Sequence, residues 1–193
     1  MKSFKEYFLT EMPQHYSSAI SYMKDEKFTK LSKRNVMEYV LLGAMDGLVY
    51  LVDQELTSGF VFDEEDFNNT DNSILPAMRL SLRDTKIDGF KQAHFLRIRQ
   101  KYSQKNVTST WYNLYVKKFN GIVSDFEHLE GGKQLWKSII KTATIDPNIN
   151  VSLIDYDTLN TLISNVTTNT PESDIWSSDA SKKHRVLLYT KKA

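Results

Sequence analysis

Hydrophobic and polar residues recur along the chain with two different periods. "GLVYLVDQEL" and "SGFVF" are β-rich apolar runs, and they predict two strands turning through Thr57, Ser58 and Gly59. "MRLSLRD" and "QAHFLRIRQKY" predict a second strand pair, joined through Asp88 and Gly89. In the latter, Arg97 and Arg99 alternate with Leu96 and Ile98, as in a half-covered strand. The period then changes. In "TSTWYNLYVKKF", Trp111, Leu114, Tyr115 and Phe119 fall at helical spacing behind Thr and Ser residues suited to an N-cap. Strand "GIVSD", helix "GKQLWKSIIKTA", strand "NVSLID", a short helix near "DTLNTLIS" and a last strand "HRVLLYT" complete the pattern.

The N-terminal part reads as helical. Ser3 and Glu6 form a capping box, Phe4, Tyr7 and Phe8 share one face, and Pro13 ends this first short helix. Residues 16–42 are expected to be helical in two pieces about the solvated middle "KDEKFTKLSKR". "DEEDF" and "NNTDNS" read as a loop, as does the polar stretch 165–183, which Trp176 would pin down. Helix and strand alternate through the second half. The expected class is therefore α/β (α+β), one domain with helices flanking a sheet and an N-terminal helical extension.

Composition narrows the chemistry. Lys plus Arg number 25 against 24 for Asp plus Glu, a net charge of +1, so no overall field indicates nucleic acid or an anionic membrane. There is no cysteine, which removes disulfides, thiol nucleophiles and thiolate metal sites together. The most apolar window, "VMEYVLLGAMDGLVYLV", carries Glu38 and Asp46 and reads as core rather than as a membrane span. Glu6 and Glu11 interrupt the N-terminus where a secretory signal needs an apolar run.

Candidate chemistry is sparse. His15, His94, His128 and His184 are scattered without metal-site spacing, and Asp63, Glu64, Glu65 and Asp66 lack the glycine and distal glutamate of a calcium loop. No metal is expected. Ser124, Asp125 and His128 lack a nucleophile elbow. Arg97, Arg99, Lys101, Tyr102, Lys105, Lys117 and Lys118 read first as ordinary surface charges, and otherwise as contacts for nucleic acid or cofactor phosphates. Gly131 and Gly132 read as a tight turn ahead of a helix whose Leu135, Trp136, Ile139 and Ile140 pack on the sheet.

From about Phe90 to Asp155, the order of long strand, loop, helix, strand, glycine-containing turn, helix and strand resembles the acyl-CoA N-acyltransferase (GNAT) family. The resemblance implies a mixed, mostly antiparallel sheet over residues 12–193 and acetyl-CoA as cofactor. It implies pyrophosphate binding at the loop and helix start formed by Gln104, Lys105, Asn106, Val107, Thr108 and Ser109. Asn106 and Thr108 stand where the family usually has glycine, and Trp136 stands where many members have a tyrosine acting as general acid. An indole cannot take that role. Asp125 and Tyr156 are the alternative acid or base candidates.

A second resemblance lies in "MKSFKEYFLTE", which is similar to the capsid-targeting peptides of internal head proteins of T-even-like phages. It implies that residues 1–11 dock on the prohead core and are cut by the prohead protease at Leu9, Thr10 and Glu11, before Met12. The implied location is the virion interior and then the host cytoplasm, with an unidentified host protein as partner. On that reading the scaffold binds and inhibits or redirects a host factor without turnover; the alternative is an active acetyl-CoA-dependent N-acetyltransferase of phage or bacterial origin, in the latter case in the bacterial cytoplasm.

Overall fold

In chain order the elements are β1 (Ile20–Met23), β2 (Leu31–Ser32), α1 (Lys33–Val36), β3 (Val40–Met45), β4 (Leu48–Val52), β5 (Ser58–Asp63), α2 (Glu64–Asn68), β6 (Ser73–Ile74) and β7 (Met78–Asp84). They continue with β8 (Lys91–Arg99), a 3-10 turn (Gln100–Tyr102), α3 (Val107–Phe119), β9 (Gly121–Val123), α4 (Glu130–Ile145), β10 (Ile149–Asp155), β11 (Thr161–Ile163), α5 (Glu172–Ile175) and β12 (Arg185–Lys191). The computed structural model describes residues 20–23, 28–102, 106–125, 130–176 and 184–192. The expected helix over the first ten residues and the cleavage site Leu9 to Met12 lie outside them.

The described elements form a mixed α/β structure around a ten-stranded, mostly antiparallel sheet, ordered β11-β10-β12-β9-β8-β7-β5-β4-β3, with β1 also on β8. Strands β4 and β5 are buried on both faces, which is why they read as continuous apolar runs. Leu48, Tyr50, Val52 and Val61 face one core with Trp111 and Trp136, while Val49, Leu51, Phe60 and Phe62 face a second with Val36 and Ile74. Helices α3 and α4 supply that first core with Val107, Trp111, Tyr112, Tyr115, Val116, Trp136, Ile139 and Ile140.

Expectations for four of these segments are corrected. Residues 16–42, where described, hold strands β1, β2 and β3 and the single helical turn α1 instead of two helices. For β3 the cause is the Asp46–Gly47 turn, with φ of 55° and 70°, the left-handed pair that folds Val40–Met45 back on β4. The β4–β5 turn precedes Ser58: Asp53 accepts from the Thr57 N–H and hydroxyl, each at 2.6 Å, so Ser58 and Gly59 already belong to β5. "DEEDF" is helix α2, because the Asp63 carboxylate accepts from Glu65 N at 3.2 Å as an N-cap. The segment near Thr161 is strand β11, paired antiparallel with β10.

The apolar window from Val36 to Val52 is accordingly the end of α1 and a hairpin. Among the described residues, no helix is long and apolar enough to cross a membrane.

Candidate functional site at the fork between β8 and β9

Strands β8 and β9 run parallel but stay in register for only two pairs, Lys91 with Ile122 and Gln92 with Val123. Beyond them β9 ends, while β8 continues to Arg99 and pairs with β1 over Leu96–Arg99. A bulge lies at the parting. Ser81 pairs with Phe95 and Leu82 with Ala93, so His94 is the extra residue. Bulges bend a strand and redirect a side chain. Here the redirected side chain is an imidazole.

His94 meets Asp125, which follows the end of β9. Its Nδ1 lies 3.4 Å from Asp125 Oδ2, an ion-pair distance, and the side chains are 32% and 8% exposed. Arg83 Nη2 donates to Asp125 Oδ1 at 3.1 Å, and its Nε donates to Gln92 Oε1 at 2.9 Å. Gln92 is fully buried and donates to the Ser124 carbonyl at 2.7 Å. The Ser124 hydroxyl donates to the Asp125 carbonyl at 3.0 Å and accepts from Leu187 N at 2.9 Å. A buried carboxylate is thus held between a guanidinium and an imidazole, and Gln92 and Ser124 fix the backbone beneath it. With Nδ1 turned to Asp125, Nε2 is the His94 nitrogen available to a substrate.

The expected site residues separate. Asp125 lies in this cluster, whereas Tyr156 belongs with the connection after β7: its hydroxyl accepts from Lys86 N at 3.0 Å, and Lys86 Nζ lies 5.3 Å from its ring centroid. Gln104 and Lys105 lie outside the described residues. Asn106 is exposed at the start of α3 and makes no side-chain cap, while Val107, Thr108 and Ser109 are buried. The Thr108 hydroxyl meets Met78 Sδ at 3.6 Å, and the Ser109 hydroxyl donates to the Asn106 carbonyl at 3.1 Å. Both side chains are engaged within the fold. What the first turn of α3 offers a ligand is its backbone N–H groups.

Trp136 is core, as its helical spacing implied. It is 3% exposed and meets Tyr112 edge to face at 5.8 Å. Burial, reinforced by the charge of Asp125, pushes the Tyr112 phenol up from its ordinary range. Gly131 and Gly132 lie in the first turn of α4, not in a turn ahead of it. Ser124 is fully buried, which removes it as a nucleophile, and His128 lies outside the described residues. The basic residues do not form one patch: Arg97 stacks on Phe95, Lys101 on Tyr102, and Lys118 Nζ donates to the Leu41 carbonyl at 2.7 Å. Among the described residues, no group of three or more His, Asp or Glu side chains could hold a metal ion.

Sequence reasoning missed His94, Arg83 and Gln92. The signal that could have found two of them is the polar pair Gln92 and His94 flanking Ala93 in the first half of a central strand. Set against protein-family models, curated proteins and solved structures, the chain matches none of them.

Proposed function

We propose that the domain is an acyltransferase-type scaffold of the GNAT kind that moves an acetyl group from acetyl-CoA to an amine at the fork. One observation carries the reading: two parallel central strands part beside a half-exposed imidazole backed by a buried carboxylate, ahead of the crossover helix α3. Acetyl-CoA supplies an activated acyl thioester. Backbone N–H groups at the start of α3 would hold its phosphates, and the inward packing of Thr108 and Ser109 keeps their side chains clear of that approach. His94 Nε2 takes the proton that the attacking amine must lose. The Asp125 carboxylate, 3.4 Å from the other ring nitrogen, faces the positive charge that the ring gains. Arg83 holds that carboxylate in place.

The same proposal gives the chain a setting: packaged in a phage head through residues 1–11 and acting on a host protein. Support for that comes from the resemblance of "MKSFKEYFLTE" alone. Intact mass of the protein taken from virions tests it, since cleavage before Met12 removes residues 1–11.

Release of free CoA thiol tests the chemistry, and a chain without cysteine adds no background to that assay. With acetyl-CoA and a lysine-bearing peptide, the full chain should release thiol. His94→Asn should reduce the rate by about 10²-fold or more at neutral pH while leaving acetyl-CoA binding intact. Absence of acetyl-CoA binding up to millimolar concentration would overturn the reading.

A further inference from the structure

The edge of β8 that β9 abandons is closed by the chain itself. Strand β1 runs parallel to β8, with Ile20, Ser21, Tyr22 and Met23 in register with Leu96, Arg97, Ile98 and Arg99. A central strand needs its backbone donors and acceptors paired on both sides. Here one side depends on four residues in a parallel ladder, the weaker kind of pairing per residue. Opening of so short a strand lies at the low end of the range of local opening energies within a fold. The other side of β8 is secured by β7 over Met78–Asp84.

Two guanidinium groups meet on this part of β8. Arg97 is the direct cross-strand partner of Arg79, and like charges placed opposite one another destabilise a sheet. The two guanidinium groups stack on rings instead, Arg79 over Phe60 at 5.7 Å and Arg97 over Phe95 at 4.7 Å. Arg97 Nε is buried without a hydrogen-bond partner among the described residues. The residue of β1 in register with Arg97 is Ser21, an uncharged residue.

We propose that this edge is a strand-addition site for an extended acidic segment of a partner protein, and that β1 is the replaceable occupant that closes it in the free chain. An incoming strand would take over the backbone pairing of Leu96–Arg99. A carboxylate in the place of Ser21 would stand beside Arg97 and offer its guanidinium an anionic partner. Main-chain hydrogen bonds give such a site affinity. Arg97 gives it a preference for charge. The proposal stands apart from acyl transfer: it requires neither acetyl-CoA nor His94.

Because β1 competes with the incoming strand, weakening β1 should strengthen partner binding, the reverse of an ordinary lesion. The test uses the full chain and three labelled probes: a synthetic peptide alternating Glu with Val, its Lys-for-Glu counterpart, and a short single-stranded oligonucleotide. Ser21→Pro removes a backbone donor from β1 and should raise affinity for the acidic peptide about tenfold. Arg97→Glu should lower it about tenfold or more in either background. Hydrogen exchange over β10 and β12 reports whether each variant keeps its fold. With the fold kept, no gain in Ser21→Pro, equal binding of both peptides, or preference for the oligonucleotide would each overturn the proposal. Retained acidic-peptide binding in a variant that no longer binds acetyl-CoA would separate this site from the acyltransferase reading.

Discussion

The indole of Trp111 fills the space that a side chain at Gly59 would need. A Cβ built there falls inside van der Waals contact with the ring, while Trp111 Nε1 donates to the Leu51 carbonyl at 3.0 Å. The contact and the hydrogen bond together set the distance between α3 and the sheet. They therefore also set where the first turn of α3 stands relative to the fork.

Gly59→Ala should destabilise the protein by about 1–3 kcal/mol, the usual range for overpacking a filled core. Trp111→Phe should recover part of that loss in the double variant, although it gives up the bond to Leu51. Urea denaturation of the two single variants and the double variant measures the coupling, and additive effects would mean that the two sites do not meet.

Asp125→Ala should cost about 1–3 kcal/mol, because it takes from Arg83 its acceptor and from His94 the carboxylate beside Nδ1. Arg83 is 40% exposed and can turn to water, which keeps the loss below that of a fully buried ion pair. His94→Ala should cost less than about 1 kcal/mol, since that ring is already partly hydrated. Equal large losses for both variants in urea would mark the pair as structural rather than functional.

High pH should unfold the protein in a defined window. Burial pushes Tyr115 up to about 12 and pushes Tyr112 and Tyr189 further up, so these phenols stay protonated in the fold while the same residues ionise near 10 in the unfolded chain. Below pH 10 both states hold the proton and stability is unaffected by these groups. Above about pH 10 the unfolded chain binds fewer protons, so stability falls as pH rises through 12. Tyrosinate absorbance should show the exposed tyrosines titrating first and the buried ones appearing in one step with the loss of secondary structure. A smooth titration of all ten tyrosines near pH 10 would contradict this.

Asn120 ends α3 with φ of 67°, a left-handed position that a side chain without a local polar group tolerates poorly. Asn120→Ala should lower stability by about 1 kcal/mol and Asn120→Gly should not lower it, as read by thermal denaturation.

Much of the sheet was legible because β5, β7, β8, β10 and β12 alternate or run apolar with period two, and α3 and α4 keep a helical stripe. Val36 to Leu42 was not, because a short apolar run fits either period; the Asp46–Gly47 turn, not the run itself, decides for a strand. The acidic segment after Asp63 hid a helix for a related reason: its start depends on one N-cap hydrogen bond rather than on an apolar face. Asp125 was reached as a candidate from sequence. Its partners were not, since Arg83 lies 42 residues away and arrives only through cross-strand register, and His94 faces it only because a bulge turns it.

The fork also divides the sheet mechanically. Two register pairs join β8 to β9, so the strands β3, β4, β5, β7 and β8 and the strands β9 to β12 meet along a seam that little backbone hydrogen bonding crosses. Helix α3 bridges that seam, touching β3 and β5 on one side and β9 and β12 on the other. It acts as a strut between two plates, and shear or twist applied to the sheet would concentrate along the line where His94 and Asp125 face each other.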